Sequence, residues 1–322
     1  MDRNRINALV TGGAGFIGSH LADKLIAAGY GSVVVVDNLF LGKERNLDKA
    51  KASGKLTFCN ANAANEEKMG KIINECGINV VFNLAVVPLP ASLEQPVFGY
   101  KENIDITHSL CELLRKDCFE TLVHYSSSEA YGTAEYVPMD EKHPLNPRTP
   151  YAASKAASDH LVMSYHHTYG TDTVVVRPFN NYGPRQNEGM YAAVIPLTIK
   201  HILSGEPPII HGDGLQTRDY AYVEDTAEAT VAIFENSKTR GRIINLGSGK
   251  ETTIKELVEK INTIMGGGES IQFGPPRIGD VRRHAADITL ARELIGYRSK
   301  TDLDDGLKKT ISWYLNKDQR GR

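Results

Sequence analysis

Short apolar runs alternate with amphipathic stretches through the first half of the chain. Residues 8–11, 33–37, 56–59, 80–84, 121–126 and 173–177 form runs dense in valine, leucine and phenylalanine, as strands buried on both faces require. Between them, residues 18–28, 68–75, 103–115 and 151–169 carry apolar positions three and four apart, the period of a helix packed on a sheet. Such alternation predicts parallel strands joined by right-handed crossovers, hence an α/β fold built on a doubly wound parallel sheet.

After Pro178 the texture changes. Residues 180–184, 206–208, 212–214 and 274–276 are rich in proline, glycine and polar side chains, which predicts a smaller and looser lobe. A helical pattern at 224–234 and an apolar run at 243–246 read as a return to the main sheet. The expected division is therefore 1–178 plus about 217–246 for the sheet domain, and about 179–216 and 247–322 for a discontinuous C-terminal lobe.

Length and composition narrow the class without naming a function. At 322 residues the chain exceeds the roughly 100–200 residues of one ordinary core. A formal charge of −2, with no basic block or acidic tail, argues against nucleic acid as a partner. No stretch approaches the roughly 18 apolar residues of a membrane helix, and the polar start at 1–7 is no secretory leader; a cytoplasmic location and no membrane partner are expected. Cys59, Cys76, Cys111 and Cys118 form no C-x-x-C pair, so neither a metal site nor a disulfide framework is expected.

The first chemistry stands at Thr11-Gly-Gly-Ala-Gly-Phe-Ile-Gly18, directly after the first strand run and opening the first helix. Glycines at 12, 15 and 18 permit a tight turn, a close backbone approach to a pyrophosphate and close helix–strand packing, with helix N-terminal amides facing the anion. Asp37 ends the second strand 19 positions after Gly18, where a carboxylate can bind ribose hydroxyls. This combination predicts a Rossmann-type NAD site. The carboxylate repels a 2′-phosphate and so favours NAD over NADP, against the nearby cations Lys43 and Arg45. Phe16 and Ile17 in the turn, Asn38 beside Asp37, Asn62 after the third strand, Leu84 and Ala85 after the fourth, and Asn103 complete the expected cofactor contacts.

Tyr151 and Lys155 are four apart at the start of a helix and therefore share a face. An ammonium beside a phenol favours the phenolate, so the pair, aided by a nicotinium charge, is expected to bring the tyrosine from about 10 toward neutrality, as a base for alcohol oxidation requires. Ser126-Ser-Ser-Glu129 ends the strand expected beside this helix.

With these residues in place, the chain resembles the extended short-chain dehydrogenase/reductase family, and within it the nucleotide-sugar epimerases, dehydratases and decarboxylases. The resemblance runs from the glycine turn through S-S-S-E-A-Y-G (126–132), P-Y-A-A-S-K (150–155), R-P-F-N-N-Y-G-P-R (177–185), G-D-G-L-Q-T-R-D-Y (212–220) and P-R-I-G-D (276–280). It implies that Tyr151 is the base at a sugar 4-hydroxyl, that Lys155 holds the nicotinamide ribose, and that Ser127 shares the hydroxyl's hydrogen bond. It implies nicotinamide contacts from Pro178 and Phe179, diphosphate contacts from Asn180, Arg218 and Arg277, and a nucleotide base flanked by Val194 and Ile210. A homodimer, paired through the helices at 103–115 and 151–169, is implied as well.

The same resemblance bears on the reaction. A ketone at C4 acidifies the proton at C5, and Glu129 stands where dehydratases of the family carry the C5 base; Ser128 replaces the aspartate that often protonates the leaving hydroxyl. Asn83, Asn62 and Ala130 depart from a common histidine, aspartate and valine. A nucleotide-hexose 4,6-dehydratase is therefore expected, with 4-epimerisation and UDP-glucuronate decarboxylation as alternatives. A dinucleotide-binding sensor or scaffold would tolerate a broken catalytic pair, whereas Tyr151, Lys155 and Glu129 are all present.

Overall fold

The computed structural model describes residues 2–268, 270–277 and 279–320; Ile278 of the 276–280 motif lies outside the described residues. The chain opens with β1 (Asn7–Thr11), α1 (Phe16–Ala27), β2 (Ser32–Asp37), α2 (Asp48–Lys51), β3 (Leu56–Asn60), α3 (Glu66–Glu75) and β4 (Val80–Asn83). It continues through α4 (Leu89–Glu94), α5 (Pro96–Arg115), β5 (Thr121–Tyr125), α6 (Pro150–Tyr169), β6 (Thr173–Pro178) and β7 (Asn180–Tyr182). There follow α7 (Val194–Leu203), β8 (Ile209–His211), β9 (Thr217–Arg218), β10 (Tyr220–Tyr222), α8 (Val223–Glu235) and β11 (Ile243–Leu246). The last elements are β12 (Thr252–Thr253), α9 (Ile254–Ile264), β13 (Gln272–Gly274), α10 (Thr289–Ile295) and α11 (Leu303–Arg320).

Seven strands form the main sheet in the order β11-β6-β5-β4-β1-β2-β3, all parallel. The apolar runs explain this: alternate residues of each strand feed opposite layers. Ala8, Val10, Val33 and Val35 enter one core with helices α1, α8 and α10. Leu9, Val34 and Val36 enter the other with α3, α5 and α6. The strand order reverses between β1 and β4, the point at which a doubly wound sheet opens a crevice at its C-terminal edge.

Boundaries differ from the sequence expectation where tertiary packing overrides local pattern. Helix α5 begins at Pro96 instead of 103, because proline suits a first helical turn. Residues 89–94 form α4. A separate core of Tyr182, Ile195, Ile199, Tyr220, Tyr222, Leu257, Ile261, Leu307, Ile311 and Tyr314 lies in the C-terminal half. Tyr220 and Tyr222 thus pack outside the sheet domain expected to hold 217–246, since β10 pairs with β7. Conversely Ala291 and Tyr297 join the first core, although 247–322 is expected in the other lobe. Among the described residues no helix is long and apolar enough to cross a membrane.

Leu9 has no exposed surface and sits at the centre of the sheet. Leu9→Ala is expected to destabilise the fold by about 2–5 kcal/mol through lost burial and a residual cavity, read as a lowered urea midpoint with secondary structure intact in the folded baseline.

Candidate active site

The crevice between β1 and β4 widens into a cavity of about 440 Å³. Its walls explain why the turn 12–18 is glycine-rich. Gly12 has φ +65°, and a Cβ there would come within 2.8 Å of the Ala85 amide nitrogen; a Cβ at Gly18 would run into the Gly12 carbonyl. Only bare backbone lets α1, the turn and the 84–85 segment meet this closely. Thr11 ties them together: its hydroxyl accepts from the Leu84 and Ala85 amides at 3.1 and 3.2 Å and donates to Asn83 Oδ1 at 2.8 Å.

Asp37, at the end of β2, is buried and accepts from the Ala14 amide at 3.0 Å and the Leu39 amide at 2.8 Å. Burial raises its carboxyl above the usual range, and those amides pull it back. The segment after it folds onto the glycine turn, with the Lys43 amide and Asn46 Nδ2 both donating to the Ala14 carbonyl at 3.0 and 2.9 Å.

The cavity brings together Gly12, Gly15, Phe16, Ile17, Gly18, Asp37, Asn38, Asn62, Leu84, Ala85, Ser127, Tyr151, Lys155, Pro178 and Phe179, all singled out from the sequence. Asn103 does not reach it. Its amide clamps Val87, accepting from the backbone N–H at 2.7 Å and donating to the carbonyl at 3.2 Å, and donates to Ser154 Oγ at 3.0 Å. It braces the cavity wall from behind.

Tyr151 and Lys155 stand in the first turns of α6, which Thr149 caps by accepting from the Ala152 amide at 3.1 Å, with Pro150 at the first helical position. The pair shares a helix face, and burial dominates the electrostatics of both groups. Burial pushes the Tyr151 phenol up to about 12; the Ser127 hydrogen bond lowers it, while Glu129 and Asp159 raise it. The Lys155 ammonium is turned to the Tyr125 carbonyl at 2.5 Å, and burial pushes it down to about 8, opposed by Asp159. Desolvation is the largest cause at both groups, each pushed toward its neutral form.

Asp159, one further turn along α6, escaped the sequence reading. Its carboxylate accepts from Ser126 Oγ at 2.6 Å and Arg177 Nη2 at 2.5 Å, and all three side chains are buried. The Arg177 guanidinium lies 4.4 Å over the Tyr131 ring, and Tyr131 packs near Phe179 of the cavity wall. The spacing Tyr-x3-Lys-x3-Asp was visible in the chain; its buried partner on β6 was not.

Ser127 Oγ accepts from the Glu129 amide at 3.2 Å, capping a tight turn over Ser128–Tyr131. Ser128 is buried beneath that turn. Burial raises the Glu129 carboxyl, Arg218 lowers it and Asp280 raises it, so Glu129 lies in the field of both Tyr151 and the 218–280 region. The Tyr220 phenol feels Arg218, Asp280 and Arg277 together. These side chains form a polar neighbourhood beside the Ser128–Tyr131 turn and beyond the main cavity wall.

The remaining substrate candidates are less uniform. Arg218 donates to the Thr217 and Val281 carbonyls at 2.8 and 2.7 Å and pairs with Asp280. Asn180 Oδ1 is buried without a hydrogen-bond partner, and Arg277 is exposed. Ile210 is fully buried in β8 and presents no surface to a ligand, while half-buried Val194 packs at the start of α7 against the separate core of Tyr182, Ile195 and Ile199. Apolar character alone did not separate core positions from a base pocket. Sequence reasoning also missed Phe40, in the loop after β2, and Phe98 and Glu102, on α5, on the cavity wall. Among the described residues no cluster of three or more His, Cys, Asp or Glu side chains could hold a metal ion.

Comparison with known proteins agrees with this geometry. A model of the family described as GDP-mannose 4,6 dehydratase matches residues 9–310. The putative UDP-glucose 4-epimerase of Methanocaldococcus jannaschii is 38% identical over 96% of this chain and 98% of its own. The crystal structure of UDP-glucose 4-epimerase from Thermotoga maritima with UDP-glucose superposes with a TM-score of 0.91 at 35% identity, covering 97% of this chain and 99% of that one. The dTDP-glucose 4,6-dehydratase DesIV of Streptomyces venezuelae, solved with NAD bound, has a TM-score of 0.91 at 30% identity, covering 98% of each chain. Another relative, 31% identical, is named UDP-N-acetyl-alpha-D-glucosaminuronate decarboxylase. With its family match spanning nearly the whole fold, the chain belongs to the GDP-mannose 4,6 dehydratase family, the nucleotide-sugar epimerases, dehydratases and decarboxylases of the extended short-chain dehydrogenase/reductase group.

Proposed function

We propose that this chain is an NAD-dependent nucleotide-hexose 4,6-dehydratase. The carrying observation is Glu129, a second acid–base group, a carboxyl of raised pKa held in the field of the Tyr151 phenol. One acid–base group suffices to open and close a C4 ketone, whereas elimination across C5 and C6 needs another. The bare backbone at Gly12 and Gly18 and the buried Asp37 carboxylate fit the pyrophosphate and ribose of NAD. When bound, NAD supplies the hydride acceptor and donor for the sugar carbons.

The side chains divide the remaining work. Tyr151, hydrogen-bonded to Ser127, takes the 4-hydroxyl proton. Glu129 removes the C5 proton made acidic by the C4 ketone, and the C6 hydroxyl departs as water. That proton passes to the C6 hydroxyl and leaves with it in the water, and the proton added at C5 afterwards comes from solvent. Arg218, Arg277 and Asn180 hold the diphosphate in this reading, with Arg218 exchanging its bond to Asp280 for phosphate oxygens. Exposed Val97, Phe98 and Tyr100 on α5 support pairing of two copies through that helix.

The second reading is 4-epimerisation, favoured by the names of relatives 38% and 37% identical to this chain. Incubation with UDP-, GDP- and dTDP-hexoses followed by mass spectrometry separates the two. Loss of water supports dehydration, unchanged mass with altered proton couplings supports epimerisation, and loss of carbon dioxide from a uronate supports decarboxylation.

Three substitutions test the assigned roles. Tyr151→Phe is expected to lower turnover by about 10²–10⁴-fold while the protein retains NAD; wild-type turnover rejects the role. Glu129→Gln is expected to abolish the dehydrated product while substrate still reduces the bound dinucleotide, seen by its absorbance. The third concerns pH. Lys155 titrates at about 8 when folded against an ordinary lysine value of 10.5, so between these values the unfolded chain binds more protons and the lysine's contribution to stability rises with pH. It is lost as pH falls back through 8. Stability of wild type relative to Lys155→Met should therefore rise by roughly 3 kcal/mol from pH 8 to 10.5 in urea titrations; a flat difference refutes the assigned shift.

A further inference from the structure

Two chain segments face each other across the ribose end of the cavity. On one side, Lys43 lines the wall beside Asp37 and Asn38. On the other, Arg185, Gln186 and Asn187 line it, within a strap bracketed by Arg185 and Tyr191, both at φ +68°. A non-glycine residue holds such a backbone only when its surroundings over-determine it. Here they do: Arg185 pairs with Asp23 at 2.8 Å, the Gln186 carbonyl accepts from Tyr314 at 2.8 Å, and the Tyr191 phenol donates to Glu94 at 2.6 Å.

The strap carries Glu188 to the cations of the opposite segment. Its carboxylate lies 3.4 Å from Lys43 Nζ and 3.6 Å from Arg45 Nη2. All three side chains keep contact with water, so these pairs contribute little to folding stability. Their consequence is for the local field. NAD and NADP differ by one ribose 2′-phosphate, and a cation near that hydroxyl is what accommodates it. Asp37 disfavours the extra anion from one side; Lys43 and Arg45 would favour it from the other.

We propose that Glu188 is a dinucleotide-specificity residue: by engaging Lys43 and Arg45 across the cleft, it withholds from a 2′-phosphate two cations of the segment that follows Asp37, and so makes the chain select NAD. The proposal rests on the NAD reading of the cavity. It implies that selection against NADP is built jointly from Asp37 on β2 and from a residue about 150 positions further along the chain.

The test equilibrates the purified protein with an equimolar mixture of NAD and NADP at low ionic strength, where exposed charges are least screened, and measures the bound ratio by chromatography of the released dinucleotides. Glu188→Gln, close in shape and uncharged, is expected to shift the ratio toward NADP by at least about tenfold, the equivalent of one hydrogen bond to a charged group, with an unchanged melting temperature. Adding Lys43→Ala to that variant should return much of the shift. A ratio in Glu188→Gln equal to that of wild type overturns the proposal, as does a shift that persists when Lys43 is removed along with the carboxylate. Wild-type protein that retains neither dinucleotide overturns the cofactor reading itself, an outcome distinct from an unaltered ratio.

Discussion

One buried carboxylate ties the candidate site to the sheet. Asp159 on α6 accepts from Ser126 at the end of β5 and from Arg177 on β6, and these side chains have almost no exposed surface. Removing one partner of such a pair strands the other charge in a medium that cannot solvate it, at a cost of about 3–5 kcal/mol. The helix carrying Tyr151 and Lys155 therefore has little freedom to rotate or slide on the sheet edge. The arginine extends the constraint through the Tyr131 ring toward Phe179, so strand ends, helix and cavity wall are held as one unit.

Within that frame, burial governs the acid–base properties. The same desolvation pushes Tyr151 up to about 12 and Lys155 down to about 8, each toward its neutral form. Glu129 is raised by the same effect and restrained by Arg218. The site is thus poised with groups that resist charge, and binding interactions that restore charge at the phenol have the most to contribute to the reaction. Ser127 is already placed for this, bonded to Tyr151 while organising the turn that carries Glu129.

Family membership accounts for the shared framework but leaves the reaction to local chemistry. Relatives named as epimerase, dehydratase and decarboxylase match this chain over nearly its whole length, and their superposition is close whichever name they carry. A common C4 oxidation needs the same turn, carboxylate and phenol in each case. What differs must lie in the few groups beside the sugar's C5 and C6, which in the proposed reading are Glu129 and buried Ser128.

Much of this was legible in the sequence, because strand runs, the glycine turn with Asp37, and the Tyr151–Lys155 spacing depend on neighbours within a few residues or on one strand–turn–helix unit. The parallel sheet and most of the cavity wall follow from those local patterns. Other features depend on which distant segments meet. Asn103 reads as a cofactor contact until Val87 and Ser154 are seen to occupy its amide. Ile210 reads as a base contact until β8 is seen to bury it, since an apolar residue suits a core and a pocket equally well. The phenol's shift depended on burial, and the company of Lys43 and Arg45 on a carboxylate far along the chain. The chain's periodicities and motifs determined the architecture and the chemistry it hosts; the tertiary structure decided solvation and pairing, because both arise only when residues remote in sequence exclude water from one another.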